Sequence, residues 1–180
     1  MRRRFSRPLR RTLGGRIPPL LIRANESMNA GSFAQAAGDL EQLALAADGR
    51  HGPRAPMFHI QAGRARLLAG QPAPALQQFE RGLGLLAARG RTRRLARLGP
   101  RVIAELRGHG FAGQAQQLSD YLDNLSPGLA EAAQQLQPTK HPPLPTRCTG
   151  CGAPVHPDEI EWLDDVTGEC AYCGSPLREV

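Results

Sequence analysis

Apolar side chains between Ile17 and Leu136 recur at helical spacing, and the alternation changes only near the carboxyl end. The pattern predicts seven helices, at about 18–30, 33–47, 56–69, 72–88, 94–108, 111–124 and 127–136. Ser126-Pro127 supplies a cap and a first-turn proline for the last of them. Pro100 falls inside the fifth and predicts either a kink or a helix that begins there. Further on, Ile160, Trp162 and Val166 stand among Glu159, Glu161, Asp164 and Asp165. That reads as a short two-faced strand and a polar turn, with Thr167-Gly168 in the turn.

The helical part repeats. Gly31–Leu40, Gly70–Phe79 and His109–Leu118 align without gaps at intervals of 39 residues. Phe33, Pro72 and Phe111 correspond, as do Leu40, Phe79 and Leu118; upstream, so do Met28, Leu67 and Leu106. Self-similarity at this period signals stacked helix pairs. The second unit, Gly63 followed by Gly70-Gln-Pro-Ala-Pro-Ala-Leu-Gln-Gln-Phe79, resembles a tetratricopeptide (TPR) repeat over about residues 17–125. The departures are specific. The period exceeds the family's 34 residues by five, with the surplus expected around 48–56 and 88–94. His59 and Arg66 stand near the places of the family's early aromatics, and the third unit has Gln114 where a small residue belongs, beside Ala115. The resemblance implies a groove lined by the first helix of each antiparallel pair, with Asn25, Asn29, Arg64, Leu68 and Arg107 as candidate partner-binding residues. The fallback is an irregular helical bundle.

The four cysteines of the chain form two C-x-x-C pairs, Cys148/Cys151 and Cys170/Cys173, separated by 18 residues. Four thiolates at this spacing suit one tetrahedral, structural Zn²⁺ with no open position. Each pair is followed by a glycine, Gly152 and Gly174, which can turn the backbone around a bound sulfur. Residues 146–177 resemble a zinc ribbon. A segment this short cannot bury enough apolar surface to fold alone, so the metal must hold it. His156 lies outside a filled ligand set and reads as solvent-exposed. Pro138, Pro142, Pro143 and Pro145 make 137–145 a stiff linker, so that the ribbon reads as a separate module. The fold class expected is therefore mainly α: a TPR-like array over 17–136 and a small β ribbon over 146–180.

Charge sharpens the functional expectation. The formal net charge is +7, with seven arginines and no acid in residues 1–16, +5 over 17–145 and −5 over 146–180. A Cys₄–Zn²⁺ centre would make the last segment more negative still. Such a ribbon repels phosphates and is expected to meet protein, with Trp162 on an exposed acidic hairpin as a candidate contact. The basic arm, 1–16, could touch nucleic acid or an anionic membrane surface, as could the run Arg89, Arg91, Arg93, Arg94, Arg97 and Arg101. Arginines interrupt every apolar stretch of the arm, which argues against an export signal, and no run suits a membrane span. No phosphate loop or nucleophile–base set can be assembled. The expectation is a cytoplasmic, non-enzymatic adaptor for a protein partner; the alternative is a nucleic-acid-associated protein.

Overall fold

The computed structural model of the chain describes residues 17–136, 141–157 and 159–178. The basic arm, part of the linker, and Asp158 therefore lie outside the described residues. Seven helices follow in order: α1 (Pro19–Asn29), α2 (Phe33–Asp48), α3 (Ala55–Leu68), α4 (Pro72–Ala88), α5 (Thr92–Gly108), α6 (Ala112–Leu125) and α7 (Leu129–Gln134). Each end falls within two residues of the position read from hydrophobic spacing. A three-stranded antiparallel sheet closes the described chain, with β1 (Glu161–Trp162), β2 (Thr167–Glu169) and β3 (Pro176–Arg178) in the order β1-β2-β3.

Helices α1 to α6 each pack on the next, and α7 packs on α5. Helices α1, α3 and α5 end alike, and α4 shares the pattern, with Arg91 N–H donating to Leu86 C=O after Gly90. Ser32 N–H donates to Ser27 C=O, Gln71 N–H to Arg66 C=O and Phe111 N–H to Leu106 C=O, each at 2.9 Å. The residue before each donor, Gly31, Gly70 or Gly110, has positive φ. These are Schellman caps, which satisfy the last carbonyls of a helix and turn the chain. They also correct the register: the third cap is Gly110, not His109. The fully buried equivalents are Ala36, Ala75 and Ala115, so the spacing is 39 and then 40 residues.

Helix α3 is the axis of the array. Twelve of its fourteen residues are buried, because α2, α4 and the cysteine segment cover it from different sides. Its contact with α4 depends on two glycines. A Cβ on Gly63 would stand 2.6 Å from the Phe79 ring, and one on Gly82 would stand 2.8 Å from the Pro56 carbonyl oxygen.

Several local expectations change. Helix α5 continues through Pro100, which is exposed; it neither starts there nor stops there. In the first interval the surplus over the 34-residue period sits in the 49–54 connection; in the second, residues 89–91 alone separate α4 and α5, and the surplus lies in these two 17-residue helices. Ser126 ends α6 and does not cap α7, whose preceding residue is Gly128 with φ 82°. Thr167-Gly168 is strand, not turn. Asp164 makes the turn by accepting from the Val166 and Thr167 N–H groups, and Gly168 lies beneath Ile160, where a Cβ would meet Cγ2 at 2.4 Å. The cysteine segment is not held off as a separate module: Cys148, Cys151, Cys170, Tyr172 and Leu177 belong to the same buried cluster as the helices.

Gly63→Val is expected to destabilise the chain by about 1–3 kcal/mol in urea denaturation, because the isopropyl group, from its Cβ outward, would overpack the Phe79 contact.

Candidate functional site

Two matching loops build the cysteine centre. In one, Gly152 N–H donates to Cys148 C=O and Cys148 N–H to Ala153 C=O; in the other, Gly174 N–H donates to Cys170 C=O and Cys170 N–H to Ser175 C=O, all at 2.9 Å. Gly152 and Gly174 take φ of 75° and 79°, the left-handed conformation that turns each loop around its sulfurs. The four Sγ atoms lie within 4.8 Å of one another, and none forms a disulfide. Cys148 Sγ is 3.6 Å from Cys173 Sγ, and Cys151 Sγ is 3.9 Å from Cys170 Sγ.

The thiols share charge unevenly. Hydrogen bonding from Cys151 and Cys170 pulls Cys148 down to about 6, and bonding from Cys148 pulls Cys173 lower. Hydrogen bonding with Cys148 in turn pushes Cys151 and Cys170 up, and burial adds to the rise. Only a cation at their centre would let all four ionise together. The arrangement could hold one metal ion.

The centre rests on α1, α3 and α5. From α1, Asn25 Nδ2 donates to the Cys151 carbonyl at 2.7 Å. From α3, Arg64 reaches Glu159 at 2.6 Å and forks onto both oxygens of Glu105 on α5 at 2.9 Å. Arg64 is 8% exposed and Glu159 2%. Tyr172, between the last two cysteines, puts its hydroxyl 3.2 Å from Glu159 Oε2 and 3.1 Å from Gln61 Oε1 on α3, and accepts from Arg64. From α5, Arg94 donates to the Glu159 carbonyl at 2.9 Å, while Arg101 joins Glu105 and His156. Arg54 pairs with Glu169 at 2.8 Å.

Burial alone would push the Glu159 carboxyl up, but Arg64, assisted by His156 and Arg101, holds it below the usual carboxylate range. Arg64 is raised well above its ordinary value: burial opposes this, and Glu159, Tyr172 and Glu105 more than compensate. Burial pushes the Tyr172 hydroxyl well up, so it stays protonated and able to donate.

The expected groove residues thus divide. Asn25 and Arg64 are spent on the chain's own cysteine segment. Asn29, exposed, accepts from Arg147 beside Cys148. Arg107 and Leu68 are exposed and contribute nothing to this contact. Trp162 is half-buried and stacks on His141, with ring centres 3.8 Å apart and planes 8° from parallel. His156 is half-buried and bonded to Arg101, not free in solvent. In the run 89–101, Arg89, Arg94 and Arg101 are engaged internally.

Glu159 and Tyr172 are the residues that sequence reasoning missed. Glu159 reads as one acid of an exposed cluster, and Tyr172 as a spacer within C-x-x-C. The available signal was an aromatic residue inside a tight metal loop, where a solvated polar residue would do. His59, placed by resemblance at a family aromatic, is buried and bonded to Gln78 at 2.7 Å and Asp48 at 3.2 Å.

No helix among the described residues is long and apolar enough to cross a membrane. No family model, curated protein or solved structure matches the chain.

Two outcomes follow from the buried pair. Arg64→Leu strands the Glu159 carboxylate and should cost about 3–5 kcal/mol in denaturant unfolding of the metal-loaded chain. Glu159 is depressed in the folded state, so its contribution is complete above the unfolded carboxylate value of about 4.3 and is lost as pH falls through the folded value. Glu159→Gln should therefore flatten the acid limb of the stability–pH curve.

Proposed function

We propose that the protein is a non-enzymatic adaptor in which a TPR-like helical array and a Cys₄ zinc ribbon act as one recognition body. The observation that carries this reading is the apolar tip of the hairpin. Leu163 and Val166 are 53% and 56% exposed in the β1–β2 turn, while the base of the same hairpin is clamped to the helices through Glu159. Exposed apolar groups on a rigid mount are what a protein partner would bury.

Two arguments support the components. Ala36, Ala75 and Ala115, fully buried five residues after Gly31, Gly70 and Gly110, favour TPR-like pairing over an irregular bundle. An all-sulfur donor set favours zinc. Zn–S bonds of about 2.3 Å place tetrahedral sulfurs about 3.8 Å apart, which the 3.6 and 3.9 Å separations approach. A reducing compartment such as the cytoplasm keeps these thiols available to metal.

In this reading, the ribbon occupies the groove where the TPR resemblance would seat a partner. The partner surface shifts to the hairpin tip, with Asn29 and Arg107 on exposed helix ends. Metal analysis of purified chain should find one zinc per molecule, and Cys148→Ser should lose it; iron, or no metal, would overturn the assignment. For the adaptor role, a nuclease-treated pulldown with full-length chain should retain a protein that Leu163→Ser/Val166→Ser releases without loss of zinc. Equal capture by both forms would remove the tip from the account.

A further inference from the structure

A cleft of about 480 Å³ opens where the start of α5 faces the hairpin. That volume is in the range of small-molecule sites. Arg91, Arg93, Arg94 and Arg97 line one side, and the His141–Trp162 stack lies on the other. Of the two described carboxylates at its wall, Glu159 points into the buried network and Glu161 lies 3.9 Å from Arg94. Arg91, Arg93 and Arg97 make no ion pair among the described residues. Four arginines within seven positions around one cleft repel one another, and one carboxylate does not offset them.

Two polar atoms of its lining residues stand out, although neither faces the open cleft. Arg94 Nε and His141 Nδ1 are shielded from solvent and make no hydrogen bond among the described residues. The first turn of α5 carries no acidic residue and no side-chain cap; its Arg94 and Leu95 N–H groups donate to the Arg91 C=O. Guanidinium groups at a helix start bind phosphate oxygens, and a planar aromatic pair offers a surface for a nucleobase. An acidic peptide would use the arginines but leave the aromatic wall without a planar partner.

We propose that this cleft is a nucleotide site. Arg91, Arg93 and Arg97 hold the phosphate, and the base lies against the His141–Trp162 stack. The ligand is either a free nucleoside phosphate or one nucleotide of a single strand. The site is distinct from the hairpin tip and does not depend on the adaptor reading.

Trp162 is the only tryptophan, so its fluorescence reports on this cleft alone. Zinc-loaded full-length chain is titrated with adenosine and guanosine monophosphates, a short single-stranded RNA, inorganic phosphate and a poly-glutamate peptide. Saturable quenching by nucleotide or RNA is expected, weakened by about tenfold or more in Arg91→Glu/Arg93→Glu, whose two positions are solvent-exposed and outside the buried network. Quenching by mononucleotides identifies the free ligand; quenching by RNA alone identifies the single strand. Because residues 1–16 carry seven arginines, RNA binding that leaves Trp162 unquenched, or that survives the double reversal, counts against the site. Phosphate as effective as nucleotide, or a response to the peptide alone, overturns the proposal.

Discussion

The contact between Arg64 and Glu159 organises the molecule. A guanidinium on the central helix and a carboxylate beside the metal loops are both withdrawn from water, 2.6 Å apart. Neither tolerates that burial alone, since an unpaired buried charge costs several kcal/mol. Each is further satisfied by its neighbours, with Glu105 forking onto the arginine and Tyr172 placed against the carboxylate. The network joins α3, α5 and the cysteine segment in one arrangement, and a shift of any of them would strand a charge.

This arrangement seats the cysteine segment against three helices of the chain. Asn25, Gln61, Arg64, Arg94 and Arg101 come from α1, α3 and α5, and all five reach the cysteine segment or its flanks. That surface of the helices supports the cysteine loops. The loops in turn contribute Tyr172 and the cysteines to the buried cluster. Outward-facing chemistry is left to the periphery, namely the apolar hairpin tip and the arginine-lined cleft at the start of α5.

Much of the local structure was legible in the sequence. Helix ends follow hydrophobic spacing, and the turn glycines after each cysteine pair adopt the conformation their position demands. The cysteine centre was legible because metal ligation leaves a fixed spacing. The docking was not, because it depends on pairs such as Arg64–Glu159, 95 residues apart. Net charge was the misleading signal. The acidity of residues 146–180 suggested a surface turned toward other molecules, whereas Glu159 and Glu169 face arginines of this same chain. The third repeat was misaligned by one residue because His109-Gly110 offers two places for the cap, and only backbone geometry distinguishes them.

The most direct measurement is a double-mutant cycle between Arg64 and Glu159, using Arg64→Met, Glu159→Gln and the pair, with unfolding free energies taken on purified chain at neutral pH. The docked arrangement predicts that the two changes are not additive, with a coupling of about 1–3 kcal/mol. Additivity to within about 0.3 kcal/mol would mean that the two residues do not meet in solution, and the ribbon would then stand apart from the helices.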